Sequence, residues 1–326
     1  MPADLESTLR GTDIVHKISE SMKWHGIETV IYDQVESNPK DYNVMDSVKM
    51  YQENSCDSFV SIGGGSSHDA CKGARISVAH DGRNVNEFEG FNQSENPKNP
   101  PHIAVSTTAG TGSETSWAYV ITDTTTDPAN PHKYVAFDDN SVTSLAIDDP
   151  VLYYDCPVDF TAQCGFDVLA HASEPYVSRL NFEPSLGNAI RAIELTNEHL
   201  REAVWNGQDL PGRQGMMYAQ YIAAQAFNSG GLGIIHSISH AVSAFYDTHH
   251  AGGLQALRAH RPGHGRGHHA HDRRPGRGGR ARRVHPPAAR RGHPGEVHRR
   301  HPGLVLQEPP GQGPHQLLRG PEDHHG

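Results

Sequence analysis

Ser61-Ile62-Gly63-Gly64-Gly65-Ser66-Ser67-His68-Asp69 decides how this chain is read. The apolar run Ser58 to Ile62 has the length of a strand, and Ala70 and Ala74 beyond the glycines have helical spacing. A strand that enters a helix through glycines lets backbone approach an anion closely, and the free N–H groups of the helix start supply donors and partial positive charge. The run is neither G-x-G-x-x-G nor a P-loop, because no Gly-Lys-Ser/Thr follows, and the same glycines also suit a plain tight turn.

Upstream, Ile14, Val15, Ile18 and Met22 share a helical face over residues 12–25, and Ile27 to Tyr32 reads as a strand. Val44, Met45, Val48 and Tyr51 predict a further helix. Downstream strands are expected at His102 to Ser106, Trp117 to Thr122, Tyr134 to Phe137 and Ser144 to Ile147. The alternation predicts an α/β nucleotide-binding domain with a mostly parallel, Rossmann-like sheet. After Pro157 helical spacing takes over, at Thr161 to Val177, Pro184 to Val204, Arg213 to Ser229 and Gly233 to Tyr246. The expected domains are therefore 1–155, α/β, and 156–250, all-α and incomplete.

Ser106-Thr107-Thr108-Ala109-Gly110-Thr111-Gly112-Ser113-Glu114 crowds hydroxyls beside glycine at a second strand end. Such a loop can wrap a pyrophosphate or ribose, and it also suits a polar surface loop. Two such loops at strand carboxyl ends reinforce each other, since open α/β sheets bind ligands there. Asp167 and His171 are four apart on one helix, so a carboxylate and an imidazole point the same way. His236 and His240 repeat that spacing, and His250 lies further along. An Asp and three His suit Fe(II) or Zn(II) with a position left for a substrate oxygen.

Composition breaks near His250. The 326 residues carry a formal charge of -10, but 14 Lys and Arg face 33 Asp and Glu before Ala251, against 14 and 5 after it. Residues 251–326 hold 14 Arg, 12 His, 15 Gly and 10 Pro and lack Lys, Ser, Thr, Asn, Ile, Met, Cys and aromatic residues. GC-rich codons in a wrong frame give this usage. We therefore expect a non-native, disordered tail rather than a metal-binding tract or a nucleic-acid arm. Such a break would leave Leu195, Leu200, Tyr221, Ile222 and Phe227 exposed and the chain poorly soluble. Four cysteines without C-x2-C spacing read as reduced thiols. Without an apolar run of about 18 residues or a signal-like start, a cytoplasmic, non-membrane protein is expected.

The glycine-serine turn with Asp69, the Thr107-Thr108-Ala109-Gly110-Thr111 loop, Gly165-Phe166-Asp167-Val168-Leu169-Ala170-His171 with Glu174, and His236 through His250 occur in one order and spacing. In this the chain resembles the iron-containing (group III) alcohol dehydrogenases over about residues 7–250. The Gly-Gly-Gly-Ser-Ser-His-Asp stretch, Glu36-Ser37-Asn38-Pro39 and Ala244-Phe245-Tyr246 look most like its methanol dehydrogenases, including the nitrosoaniline-dependent type. The resemblance implies Asp167, His171, His236 and His250 as metal ligands, with His240 beside the substrate. It also implies Asn38, Gly64, Gly65, Ser66, Asp69, Thr107, Thr108, Thr111, Ser116 and Lys133 around the cofactor. The activity it implies is oxidation of a small primary alcohol by hydride transfer to NAD(P), in a family of homo-oligomers with no nucleic-acid partner expected. Alternatives are a metal- or nucleotide-binding fragment without turnover and a glycerol dehydrogenase-like enzyme. Compared with the family, the chain is expected to lack the first strand of the nucleotide domain and the later half of the helical one.

Overall fold

The computed structural model describes residues 13–246; the stretch 251–326, and with it the tail expected to be disordered, lies outside the described residues. Helix α1 (Ile14–Trp24) is followed by an extended run, then by α2 (Asp41–Glu53), β1 (Phe59–Gly63) and α3 (Gly65–Ala79). Next come β2 (Gly90–Phe91), β3 (His102–Ser106), β4 (Ala118–Asp123), β5 (His132–Phe137) and β6 (Leu145–Asp148). Four helices complete the described chain: α4 (Val158–Val177), α5 (Glu183–Trp205), α6 (Leu210–Gly230) and α7 (Ile234–Tyr246). An α/β part thus precedes an all-helical part, as the alternation predicts.

β1, β3 and β6 form a parallel sheet in the order β1-β3-β6, with Gly63 opposite Ser106. That register sets the carboxyl ends of β1 and β3 side by side, and Thr107 N donates to Gly63 O at 2.9 Å. The glycine turn and the hydroxyl-rich loop therefore leave the sheet as neighbours.

One expectation needs correction. Residues 27–32 take no regular secondary structure and form no ladder, and Ile27, Val30 and Ile31 stay exposed. Apolar, β-branched character makes a strand only where a neighbouring edge supplies partners. The expected sheet is mostly parallel, as β1, β3 and β6 are, and β4 and β5, both expected as strands, pair antiparallel in a second sheet, β2-β5-β4. Their connection, residues 124–131, is too short for the dozen or so residues a parallel crossover needs.

The α/β core packs Val44 and Val48 of α2 and Ala70, Ala74 and Ile76 of α3 against Tyr119, Ile121, Tyr134 and Ala136 of β4 and β5. The helical core is rich in alanine: Ala172, Ala192, Ala203, Ala219 and Ala223 pack around Val168, Leu195 and Met216. Small side chains let α4, α5 and α6 approach closely. For this reason Leu195 is buried and Leu200, Ile222 and Phe227 are partly covered, against the expectation of exposure; only Tyr221 of that set is exposed. Asp209 starts α6 by accepting from Gly212 N at 2.7 Å.

Beneath the glycine turn, the Ser61 hydroxyl lies 2.7 Å from His68 Nδ1 and 2.7 Å from His102 Nε2. Both imidazoles are wholly buried, and burial pushes the pKa of each far down, to about 3 for His68. The unfolded chain therefore takes up protons from about pH 6.5 downward while the folded rings stay neutral. The stabilisation is complete above pH 6.5 and is lost as pH falls toward 3. In urea titrations, the stability difference between wild type and His68→Gln should move against wild type by about 1.4 kcal/mol per pH unit from 6 to 4. A pH-independent difference would show that His68 is not buried neutral.

Candidate metal and nucleotide site

α4 begins beyond Pro157 and presents Asp167 and His171 one helical turn apart, both buried. α7 brings His236 to the same point. His171 Nε2 lies 3.6 Å and His236 Nε2 3.5 Å from Asp167 Oδ1, so three ligand atoms from three side chains fall within 4.8 Å of one another. The two imidazoles stack with centroids 4.6 Å apart, and His240 meets His236 edge-on at 5.9 Å. His236 Nε2 is buried without a hydrogen-bond partner.

Glu174, one turn beyond His171, fixes the other side of His236. Its Oε2 accepts from Nδ1 at 2.5 Å and its Oε1 from Ile235 N at 2.7 Å. With Nδ1 donating to Glu174, Nε2 is the nitrogen turned toward Asp167, and it would become a lone pair once a cation displaced its proton. Burial alone would push the His236 pKa down, but the Asp167 and Glu174 carboxylates hold it up at about 9. The site is thus built to receive positive charge. A buried carboxylate and two imidazole nitrogens, one of them buried without a hydrogen-bond partner, match the donor set of a divalent iron or zinc ion.

This cluster opens into a cavity of about 350 Å³ that the glycine turn also lines. His171, His236 and His240 line it together with Gly64, Gly65 and Ser66. A Cβ on Gly65 would stand 2.7 Å from the Thr111 side chain, so only glycine lets the two loops close on each other. Lys133 also faces the cavity. Its Nζ donates to Asn38 Oδ1 at 2.6 Å and to Ser243 Oγ at 2.8 Å, joining β5, the turn before α2 and the last helix. Asn38 adopts the left-handed region, with φ 55°.

These features coincide with what is known of one family. The sequence pattern of "Iron-containing alcohol dehydrogenase" matches residues 6–150, and its C-terminal counterpart, "Fe-containing alcohol dehydrogenase family, C-terminal", matches residues 161–266. The chain belongs to the iron-containing alcohol dehydrogenase family. A methanol:N,N-dimethyl-4-nitrosoaniline oxidoreductase of Amycolatopsis methanolica is 86% identical over 246 residues, covering 76% of this chain and 57% of that protein. An NAD-dependent methanol dehydrogenase of Bacillus methanolicus is 39% identical, covering 75% of this chain and 63% of that one. Among solved structures, a 1,3-propanediol oxidoreductase superposes with a TM-score of 0.73 at 38% identity, covering 77% of this chain and 64% of its own. This member of the family thus spans under two thirds of the length of these relatives.

Of the residues singled out from sequence, Asn38, Gly64, Gly65, Ser66, Asp69, Thr108, Thr111, Ser116, Lys133, His171, His236 and His240 line the cavity. Thr107 is buried and is not part of that lining, and Asp167 stands behind His171. His250 lies outside the described residues. Asp69 and Ser116 also brace the loop: Asp69 accepts from Ser113 Oγ at 2.6 Å and Val120 N at 3.1 Å.

Sequence reasoning missed Lys72. Wholly buried on α3, it donates to the carbonyls of Ser113, Ser116 and Ala118 at 2.5, 2.9 and 2.8 Å. Burial lowers its pKa to about 8, against the Asp69 and Glu114 charges that favour the cation. Its one signal in the sequence is a lysine set among the small residues Ala70, Gly73 and Ala74 of a helix. Lys72→Met should strand three buried carbonyls and cost about 3–5 kcal/mol in urea denaturation at neutral pH. A loss under about 1 kcal/mol would mean that the loop finds other donors.

Proposed function

We propose that this chain carries the catalytic site of an NAD(P)-dependent, metal-dependent dehydrogenase that oxidises a small primary alcohol, methanol or a near homologue, to the aldehyde. The observation that carries the reading is the Asp167, His171 and His236 cluster opening into the same cavity as the glycine turn. The proposed organisation is a nucleotide-binding part at 1–155, a metal-binding part at 156–250, and a non-native segment at 251–326. The proposed metal ligands are Asp167, His171, His236 and His250. The proposed nucleotide contacts are Asn38, Gly64, Gly65, Ser66, Asp69, Thr107, Thr108, Thr111, Ser116 and Lys133. The names of the Amycolatopsis and Bacillus relatives support methanol as the substrate class, with either free NAD or an aromatic nitroso compound as the final acceptor. Free thiols at all four cysteines, and the lack of any described helix long and apolar enough to cross a membrane, accord with a cytoplasmic setting.

When bound, a divalent iron or zinc ion supplies Lewis acidity toward the alcohol oxygen, and nicotinamide supplies the hydride acceptor. The protein's residues do the rest. Glu174 keeps His236 in the tautomer that presents Nε2. The glycine turn and the α3 amino end receive the pyrophosphate, and Lys133 stands ready for a further anionic or hydroxyl oxygen. His240, at the cavity wall beside His236, takes the hydroxyl proton released as the alcohol is oxidised. Phe160 and Phe227 line the same cavity and keep water away from the reacting end.

The full chain should be loaded anaerobically with Fe(II) or Zn(II), and its metal content compared with that of His236→Ala. The tail histidines are common to both, so the difference reports the site. We expect about one equivalent to be lost in the variant, and reduced nicotinamide to form on adding methanol, ethanol or 1-propanol to wild type with NAD or NADP. Equal metal content in the two proteins would refute the ligand assignment. Metal and nucleotide binding without hydride transfer would instead identify a binding fragment. Lys133→Met should weaken nucleotide binding by about tenfold, the scale of one charge-assisted hydrogen bond, in fluorescence titration. Unaltered affinity would remove Lys133 from the nucleotide site.

A further inference from the structure

His171 can offer Nε2 to a cation only if Nδ1 carries its proton and has somewhere to donate it. The partner is the backbone carbonyl of Gly110, 3.2 Å from Nδ1. Gly110 lies in the loop whose Thr108 and Thr111, both proposed nucleotide contacts, line the cavity. One loop therefore touches both proposed ligands, and what fixes Gly110 fixes both contacts.

Gly110 is held from two sides. Toward α4, a Cβ at this position would stand 2.8 Å from Cys164 Cβ and 3.0 Å from Cys164 Cα, so the backbone rests directly on the helix three residues before Asp167. Toward α6, Gly110 N donates to Gln220 Oε1 at 2.7 Å. Gln220 is 1% exposed, and its Nε2 donates to Glu114 Oε1 at 3.0 Å. The two contacts require opposite ends of the amide, so its orientation is unambiguous. Glu114 is itself wholly buried, and burial, followed by the nearby Asp148 carboxylate, pushes its pKa up to about 8. α6 also carries Phe227, whose ring packs on His171 with centroids 4.7 Å apart.

We propose that Gln220 is a positioning residue for the metal centre, which sets the Gly110 peptide so that it receives the His171 proton and thereby couples the nucleotide loop to the metal ligand. The inference rests on the metal-site reading of Asp167, His171 and His236. Gln220 touches neither substrate nor metal. It acts through Gly110, and a nucleotide that moves the loop moves the His171 acceptor with it.

The test uses Co(II) in the full chain at about pH 7, with the His236→Ala protein as the blank that removes the contribution of the tail histidines. Gln220→Leu leaves the buried Gly110 N–H without an acceptor. We expect a shifted visible cobalt band in the difference spectrum and metal affinity, from chelator competition, about 10–100-fold weaker, the scale of outer-shell substitutions. Gln220→Glu keeps the acceptor for Gly110 N–H and should retain the wild-type band. Saturating NAD should tighten cobalt binding in wild type and leave Gln220→Leu unchanged. A merely structural glutamine would lower the melting temperature while leaving band and coupling intact. If Gln220→Leu fails to fold by circular dichroism, Gln220→Asn, one methylene short of Gly110, is measured against the same expectations. A folded variant with wild-type band, affinity and coupling overturns the proposal and leaves the metal site standing. A null difference between wild type and His236→Ala overturns the metal reading and the proposal together.

Discussion

The ammonium group of Lys72 is the point on which the hydroxyl-rich loop beside the cavity depends. A loop that leaves a sheet, turns through two glycines and re-enters as a strand carries carbonyls that no ladder can satisfy. Here three of them, from Ser113, Ser116 and Ala118, converge on one buried cation. Burying that cation is costly unless every proton finds an acceptor, and the loop supplies them. Loop and lysine are thus each other's condition. Asp69, three residues earlier on the same helix, receives Ser113 Oγ and Val120 N, so α3 grips the loop with one positive and one negative side chain.

From that anchored loop the site is assembled by approach rather than by connection. Glycines at the crossing points remove the side chains that would hold the loops apart, and the cavity closes between a sheet end and a helix pair with few intervening atoms. The cluster of Asp167, His171 and His236 is organised by a different rule. The turn of α4 sets Asp167 and His171 in register, and Glu174, one turn on, reaches across to α7 to hold His236. A carboxylate therefore stands at each ring nitrogen of His236, Glu174 at Nδ1 and Asp167 at 3.5 Å from Nε2.

Much of this is legible in the sequence because it depends on local periodicity. The strand into Gly63-Gly64-Gly65, the i, i+4 spacing of Asp167 and His171, and the four terminal helices are each written within short stretches of chain. The rest depends on partners distant in the chain. Ile27 to Tyr32 carries strand character without an edge to join, and the β4–β5 pairing follows from the length of a connection more than from the strands themselves. Lys72, Gln220 and Ser243 look like ordinary helix residues, and only contacts spanning 41 to 110 positions reveal what they do. Asp69 and Ser116 read from sequence as ligand contacts, and the fold shows them also bracing backbone, a role open to any small polar residue beside a loop.

A final consequence lies in the single proton of the Ser61 hydroxyl. It can be given to His68 Nδ1 or to His102 Nε2, but not to both, and the ring that does not receive it must donate in return. The two imidazoles are therefore locked into complementary tautomers. In one arrangement the remote N–H belongs to His102 and in the other to His68, and neither remote nitrogen has a hydrogen-bond partner. Passing between them requires both shared protons to shift and, to keep the rings neutral, the remote proton to cross from one ring to the other, and neither remote nitrogen has a hydrogen-bond partner through which it could move. Helix α3 and strand β3 thus share one binary variable, held by a hydroxyl on the strand between them.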